Sequence, residues 1–355
     1  MYPRLYVNLE KLRQNGEKLC TMAASGGMRE LAFVTKCFCA NPEMIRALEP
    51  LPFSFLADSR VENLAAYPET RKQKLLLRLP MISQAAETVR WADLSLCSEE
   101  KTLEALELAA AAQGRRHKVI LMVDMGDLRE GVFFREEDRL LSLAETAEQA
   151  QHLIFYGMAF NLTCYGSVIP TAQTLADFRA LAARVEQRIG KKLPFLSAGN
   201  SSSLYLLEEG ADFSGYTNLR LGESLLLGRE TAFGAELPGL HPDVLTLEAE
   251  LIEVQQKPSF PIGLRGRNAF GEQVEYEDHG IRRRGIAAIG QQDICWDGLK
   301  PVDPRISVIG ASSDHLLLDL TQTEYTVGDL VRFRPDYGAA LRAFTSPYVE
   351  KVMCK

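Results

Sequence analysis

The sequence predicts an α/β protein: an N-terminal (β/α)8 barrel of the TIM type over residues 1–234, then a C-terminal all-β domain over residues 235–355 that a strand at residues 1–9 joins. Three observations carry this expectation. The chain has 355 residues, about two domains at roughly 150 residues each. Between Ala32 and Glu230, short β-branched runs alternate with helical runs eight times over. After Ala235 the helical texture stops, and short strands follow one another between Gly, Asp and Pro turns.

The elements follow in order. Phe33–Lys36 reads as a strand, and a helix starts after it at Asn41-Pro42-Glu43. Ser54–Ala57 precedes a helix from about Ser59, and Leu75–Leu79 precedes a helical run at Ser83–Val89. Asp93–Cys97 leads through the cap-like Ser98-Glu99-Glu100 into an Ala- and Leu-rich helix reaching Gln113. Lys118–Asp124 is the clearest buried strand, with Glu136–Ala150 helical behind it. Leu153–Asn161 is a strand, and Thr171–Ile189 is a strongly periodic helix stopped by Gly190. Pro194–Ser197 and Asn218–Leu221 close the series, each with a helical turn or two after it. Parallel strands need crossovers, so strands separated by helices imply a parallel sheet. Eight such units have the size of a closed barrel; an open doubly wound sheet is the alternative. In the second domain the strands are Leu245–Val254 (continuing into Lys257–Pro261), Gly285–Ile289, Ile306–Ile309, Leu316–Leu320 and Leu330–Phe333.

Composition narrows the class of partner. Apolar residues make up 46% and charged residues 25%, a globular profile. Forty Lys and Arg against 47 Asp and Glu give a net charge of −7, which disfavours nucleic acid and anionic membrane surfaces. Apolar stretches such as Val119–Val123 are far too short to span a bilayer. Met1-Tyr2-Pro3-Arg4 runs straight into Leu5–Leu9 without a basic-then-apolar signal, and the seven cysteines are scattered, so reduced thiols in the cytosol are expected. Cys37 and Cys39 have no second Cys/His pair at metal-binding spacing, and no metal is expected.

Catalytic groups of a βα barrel gather at the C-terminal ends of its strands. Those positions hold Lys36, Asp58, Arg78, Asp124 with Arg129, Asn161, Asn200 with Ser201 and Ser202, and Arg220. Lys36, ending an apolar strand, is either a snorkelling surface side chain or a nucleophilic amine able to form a Schiff base. Ser197–Ser203 offers small residues and hydroxyls at a helix start, an anion site or a simple cap. Leu221-Gly222-Glu223 offers a second backbone approach on the last strand, where barrels commonly bind phosphate. A lysine on the first strand with anion sites on the last two suits a phosphorylated aldehyde cofactor.

These residues resemble the fold-type III pyridoxal-phosphate enzymes, and within them the alanine/ornithine racemase branch. The resemblance covers nearly the whole chain and rests on Val34–Cys39, Leu77–Met81, Met122–Gly131, Asn161–Gly166, Ser197–Ser203 and Gly310–His315. It implies pyridoxal 5'-phosphate as cofactor, covalently held by Lys36, with Arg129 steadying the cofactor's phenolic oxygen and the substrate carboxylate. Asn161 falls where alanine racemases stack a histidine on the ring. Asn200, Ser201 and Ser202, the backbone amides of Gly222 and Glu223, and Tyr337 in Asp336-Tyr337-Gly338-Ala339 match phosphate contacts. A small-molecule amino acid as substrate and a homodimer with sites at the subunit interface are implied as well.

Arg220 falls where the family places the partner of the pyridine nitrogen. Guanidinium has donors only and keeps its proton, so that nitrogen must accept, which weakens the ring as an electron sink. This suits reversible α-proton transfer, and racemisation is the expected reaction, with Lys36 serving one face of a planar carbanion. The family's second-face tyrosine has no counterpart in Pro261–Gly271, where Phe270 is the nearest aromatic, and another tyrosine position holds Gln291. His315, Asp314, Ser313 and Tyr276 are the candidates for the second acid/base, with His315 preferred for its ordinary pKa of about 6.5. Ser313-Asp314 sits where ornithine-type decarboxylases bind a distal amine, which points to ornithine or another basic amino acid; a turn-capping role is the alternative. The rivals are an alanine or broad-specificity racemase, a basic amino-acid decarboxylase, a metal-dependent dehydratase on the same fold, and a cofactor-carrying regulator built as a barrel alone.

Overall fold

Strand β1 (Arg4–Asn8) and the helix that follows it, α1 (Leu9–Ser25), fall in different units of the fold. The computed structural model describes residues 2–354, and one unit spans residues 10–242 while the other combines residues 2–9 with 243–354. Nothing in the sequence reading assigned helix to α1, because Asn15 and Gly16 interrupt its middle with poor helix formers. Tertiary contacts supply the reason for both. Asn15 Nδ2 donates to the carbonyls of Leu225 (3.1 Å) and His241 (2.9 Å), and its Oδ1 accepts from the His241 amide at 2.7 Å. A Cβ on Gly16 would sit 2.5 Å from Leu51 Cδ1, so any larger residue would have to displace the Leu51 side chain.

The barrel strands are β2 (Ala32–Val34), β3 (Phe55–Asp58), β4 (Gln73–Leu76), β5 (Leu94–Cys97) and β6 (His117–Asp124), with α2 (Pro42–Leu48), α3 (Val61–Ala65), α4 (Ala85–Trp91) and α5 (Glu100–Ala112) between them. A short β7 (Val132–Phe133) pairs only with β6 and precedes α6 (Glu137–Gln149). Then come β8 (Leu153–Phe160), α7 (Ala172–Ile189), β9 (Phe195–Asn200), α8 (Leu204–Glu208), β10 (Asn218–Leu221) and α9 (Glu223–Leu227). The sheet has nine strands; without the appended β7, eight parallel strands remain, and they close. Closure is explicit in the register: Leu94 of β5 faces Lys118 of β6, and Arg220 of β10 faces Ala32 of β2. An open doubly wound sheet is thereby excluded.

Local chemistry accounts for several boundaries. Asn41 Oδ1 accepts from the Glu43 and Met44 amides and Pro42 opens α2, whereas Thr171 and Thr174 form a reciprocal capping box on α7, which ends at Gly190 in the left-handed region. Within the cap-like Ser98-Glu99-Glu100 the N-cap is Glu99, whose side chain makes no capping bond. Inside the barrel, Ala32, Phe55, Ala57, Leu75, Leu94, Ile120, Met122, Ala159 and Phe195 form one buried cluster. The alternation of small and large side chains packs the interior solid, so polar chemistry is confined to the strand ends.

The second unit consists of β1 with β11 (Leu245–Pro258), β12 (Ile281–Ala287), β13 (Leu299–Pro301), β14 (Ser307–Ala311), β15 (Leu316–Asp319), β16 (Leu330–Pro335), the helix α10 (Tyr337–Thr345) and β17 (Glu350–Cys354). Sheet order is β13-β16-β11-β12-β15-β14, and β1 lies antiparallel to β11 and parallel to β17. The helix α10 was not anticipated among these strands; Asp336 Oδ1 caps it by accepting from the Ala339 amide at 2.8 Å. The chain passes between units at Pro242 rather than at 235. The reason is local: the Glu230 carboxylate accepts from the amides of Ala232, Phe233 and Ala235, and Asn15 ties His241 to α1. Among the described residues no helix is long and apolar enough to cross a membrane.

Candidate active site

Four neighbouring strand ends, those of β8, β9, β10 and β2, carry most of the polar residues singled out in the sequence. Their adjacency follows from the pairing of Ala159 with Ser197, Asn200 with Arg220, and Leu221 with Phe33. Lys36 opens a 3-10 turn immediately after β2 and is half-buried. Behind it the Thr35 hydroxyl lies 2.6 Å from Asp58 Oδ2 and 2.5 Å from Tyr67 Oη, and Asp58 Oδ1 accepts from the Arg60 amide and from Asn63 Nδ2. Burial raises the Asp58 carboxyl above its ordinary range, and these hydrogen bonds oppose it only in part. Cys39 and Ala40 then adopt left-handed backbone at φ of +49° and +55°, an uncommon conformation for residues with a Cβ.

Arg220 lies at the centre of this mouth and is 3% exposed. Its Nη2 donates to the Phe160 carbonyl at 2.7 Å and to Asn161 Oδ1 at 3.0 Å, and its Nη1 donates to Ser197 Oγ. Burial pushes its pKa down to about 10, against the pull of Glu130, so it is a cation at neutral pH. Asn161 bridges outward: its Nδ2 donates to Glu130 Oε1 at 3.0 Å, and its Oδ1 also accepts from Asn200 Nδ2 at 3.2 Å. Glu130 in turn takes Arg129 in a two-pronged grip, Nη2 to Oε1 at 2.6 Å and Nε to Oε2. Burial would raise the Glu130 carboxyl, yet Arg129 holds it below its ordinary range.

The anion side of the mouth is built from hydroxyls and small residues. Asn200 Oδ1 accepts from the Ser202 amide at 2.8 Å, and the Ser201 and Ser224 hydroxyls lie 3.1 Å apart in the turns that follow β9 and β10. A Cβ on Gly222 would come to 3.0 Å from Val34 Cβ, so any side chain here fits against β2 only if Val34 gives way. Glu223 pairs with Arg229 at 2.7 Å, which points its carboxylate to a structural partner. Lys36, Arg129, Asn161, Asn200, Ser201, Ser202, Arg220, Gly222 and Glu223 therefore share one end of one barrel. Asp127, between β6 and β7, anchors this end: its carboxylate accepts from the amides of Thr163, Cys164, Tyr165, Gly166 and Val168.

Ser313, Asp314, His315 and Tyr337 belong to the other unit. Asp314 Oδ1 accepts from His315 Nδ1 at 2.9 Å and from the hydroxyls of Ser312 and Ser313 at 3.3 and 3.2 Å, in the turn between β14 and β15. Burial opposes, but His315 holds the Asp314 carboxyl below its ordinary range. The two residues line a groove with Ile252, Ile289, Asp293 and Tyr348. Tyr337 is the first residue of α10. Gln291 is tied by Nε2 to the Ala311 carbonyl at 3.0 Å, while Phe270 and Tyr276 lie exposed in the segment between β11 and β12, Tyr276 beneath Arg265 at 5.8 Å. Among the described residues no three His, Cys, Asp or Glu side chains cluster as a metal site would require.

Sequence reasoning gave no role of their own to Glu130, Asp127 and Ser224, and read Ser197 only as the first hydroxyl of the Ser197–Ser203 run. An Arg-Glu pair in a loop reads as ordinary solvated charge, and a lone serine in a strand or helix start carries no periodic signal.

Comparison with known proteins adds the following. Residues 7–230 match the family described as alanine racemase, N-terminal domain. The chain is 43% identical over 353 residues to an ornithine racemase of Acetoanaerobium sticklandii, covering 99% of both chains. It is 37% identical over 355 residues to a lysine racemase of Thermotoga maritima, covering 99% of this chain and 98% of that one. Among solved structures, alanine racemase from Bartonella henselae with covalently bound pyridoxal phosphate superposes with a TM-score of 0.72 at 16% identity, covering 100% of each chain, a likeness of fold.

Proposed function

This chain belongs to the alanine racemase family and is an amino-acid racemase, and on that premise we propose that it interconverts the L and D isomers of ornithine or a closely related basic amino acid. One observation carries the chemistry: a buried, donor-only Arg220 stands on the strand paired with the one that leads into Lys36. Full-length likeness to racemases named for ornithine and lysine supports the substrate class.

We assign pyridoxal 5'-phosphate as cofactor because the donor set fits it: an amine at Lys36, a fixed guanidinium at Arg220, a second one at Arg129, and paired hydroxyls at Ser201 and Ser224 beside the glycine at 222. When bound, this cofactor draws electrons from the α-carbon of an attached amino acid and so acidifies its α C–H. Lys36 Nζ then holds and returns the proton on one face. Arg220 offers only N–H groups, so a ring nitrogen facing it would have to accept, which disfavours the decarboxylase reading. Arg129 would bind the substrate carboxylate, and Asn161 would help to hold the cofactor through its bond to Arg220. Asn200, Ser201, Ser202 and the amides of Gly222 and Glu223 would hold the phosphate, and Tyr337, in the other unit, matches a phosphate contact by resemblance alone. His315, oriented by Asp314, serves the second face, and Asp314 with Ser313 takes the distal ammonium. A cytoplasmic homodimer, each site completed by the partner's β unit, is part of the same reading.

The test is incubation of the holoenzyme in D2O with L-ornithine, and with lysine, alanine and serine in parallel, read by chiral chromatography and mass spectrometry. D-ornithine carrying one α-deuterium is expected. In Asp314→Asn the KM for ornithine should rise at least tenfold, well beyond any rise in the KM for alanine, while kcat falls with both because His315 loses the carboxylate that orients it. Deuterium uptake without inversion would sink the second-base assignment, and putrescine as product would sink the racemase reading.

A further inference from the structure

We propose that Glu130 is a positioning residue that sets both arginines of the barrel mouth, Arg129 directly and Arg220 through the amide of Asn161. The inference rests on the reading that these arginines face cofactor and substrate.

An asparagine amide has two unlike ends, and which end points where is decided by its partners. A carboxylate only accepts, so the end of Asn161 that meets Glu130 Oε1 at 3.0 Å must be Nδ2. Oδ1 is then turned toward Arg220 Nη2 and Asn200 Nδ2, at 3.0 and 3.2 Å, both of which only donate. Every contact in the row pairs a donor with an acceptor. With a neutral amide at 130 the row loses its direction, because Gln can donate as well as accept. A reversed Asn161 would bring its NH2 against the N–H groups of Arg220 and Asn200, where an unmet donor in a buried site is costly.

The second arm is the Arg129 grip. Glu130 engages Nε and Nη2, which leaves the Nη1 edge of the guanidinium for an anion. Both carboxylate oxygens are committed: Oε1 to Arg129 and Asn161, Oε2 to Arg129. Glu130 is thus no free acid or base, and its part is orientation. It is also the carboxylate that offsets the Arg129 and Arg220 cations, and burial alone would weaken the latter's hold on its proton.

The experiment compares Glu130→Gln, Glu130→Asp and Asn161→Ala with the wild-type holoenzyme, measuring substrate KM and kcat, the dissociation constant of the apoenzyme for pyridoxal phosphate, and the thermal midpoint. For E130Q we expect KM and the cofactor dissociation constant each raised about tenfold, the equivalent of one charge-assisted hydrogen bond, with the midpoint close to wild type. E130D, which keeps the charge, should recover most of both losses. N161A, which removes the Arg220 arm and the Asn200 contact but keeps the Arg129 grip, should weaken the cofactor by a larger factor than it raises KM. The proposal is overturned if E130Q leaves KM and cofactor affinity within twofold of wild type, if E130D is no better than E130Q, or if both Glu130 variants fail to fold. A wild-type enzyme that racemises nothing would overturn the proposed function instead, and the cofactor-affinity arm would still decide the role of Glu130.

Discussion

Replacing Asp127 by asparagine should free the loop at 163–168 from the barrel mouth by about 3 kcal/mol without unfolding the barrel. Asp127 is 1% exposed; Oδ1 accepts from the amides of Thr163, Gly166 and Val168 at 3.0–3.2 Å, and Oδ2 from Cys164 and Tyr165 at 3.1 and 2.9 Å. Asparagine keeps a single acceptor oxygen. Its better placement preserves the three Oδ1 bonds and sets an NH2 against the two amides that faced Oδ2. Hydrogen bonds to a charged group contribute about 1.5–3 kcal/mol each, so the two lost bonds correspond to about 3–6 kcal/mol. The lower end applies, because Tyr165 is 73% exposed and the freed amides regain water. The assay is hydrogen exchange resolved by residue. Amides 163–168 should lose about 100-fold in protection while those of β6 and β8 exchange as in wild type. Since Asn161, Leu162 and Cys164 flank or lie in this loop and contact Asn200, kcat/KM should fall as well. Exchange of the loop within threefold of wild type would refute the idea that this carboxylate holds it.

Three further outcomes are expected. Arg220→Lys should lower racemisation at least 100-fold, because an ammonium on a flexible stem cannot reproduce the fork that meets Ser197, Phe160 and Asn161 at once; a variant with near-normal kcat would refute the role of the fork. Buried His117, whose Nε2 lies 2.9 Å from Ser95 Oγ, is pushed down to a pKa of about 4 by burial. Its folded pKa lies below the unfolded value of about 6.5, so the unfolded state binds the extra proton, and stability should fall by about 3 kcal/mol as the pH drops from 6.5 to below 4. Urea denaturation across that range checks this, and His117→Gln should flatten the slope. Gly222→Ala puts a Cβ 3.0 Å from Val34 Cβ, two residues before Lys36. About 1–3 kcal/mol of stability and part of the phosphate affinity should be lost, and unchanged melting together with unchanged cofactor binding would contradict the close fit inferred there.

Much of the barrel was legible because its signals are local. A parallel strand buried on both faces must be apolar, so Val119–Val123 announces itself, and α7 carries its own stop and start in Thr171 and Gly190. Polar residues terminating such strands stand out against the apolar run, which is why Lys36, Asn161, Asn200 and Arg220 could be named beforehand. By contrast, α1 was invisible because the partners that excuse Asn15 and Gly16 lie at Leu225, His241 and Leu51. Strand β1, by contrast, was legible from its own alternation as a strand of the second domain, although its partners β11 and β17 lie at the far end of the chain.

The candidate site divides along the same line. Residue types at strand ends carry the inventory of amines, guanidinium groups and hydroxyls, since the alternation of strand and helix sets which positions reach the mouth. The order in which those groups connect is another matter. Arg129 to Glu130 is a contact between sequence neighbours, but Glu130 to Asn161 spans 31 residues and Asn161 to Arg220 spans 59. No local pattern selects such partners, and only the pairing of β6 with β8, β8 with β9 and β9 with β10 brings them within hydrogen-bond reach. Periodicity and turn chemistry act over a few residues and so can be read along the chain; direction and charge balance in a polar network depend on which strands become neighbours, and folding alone decides that.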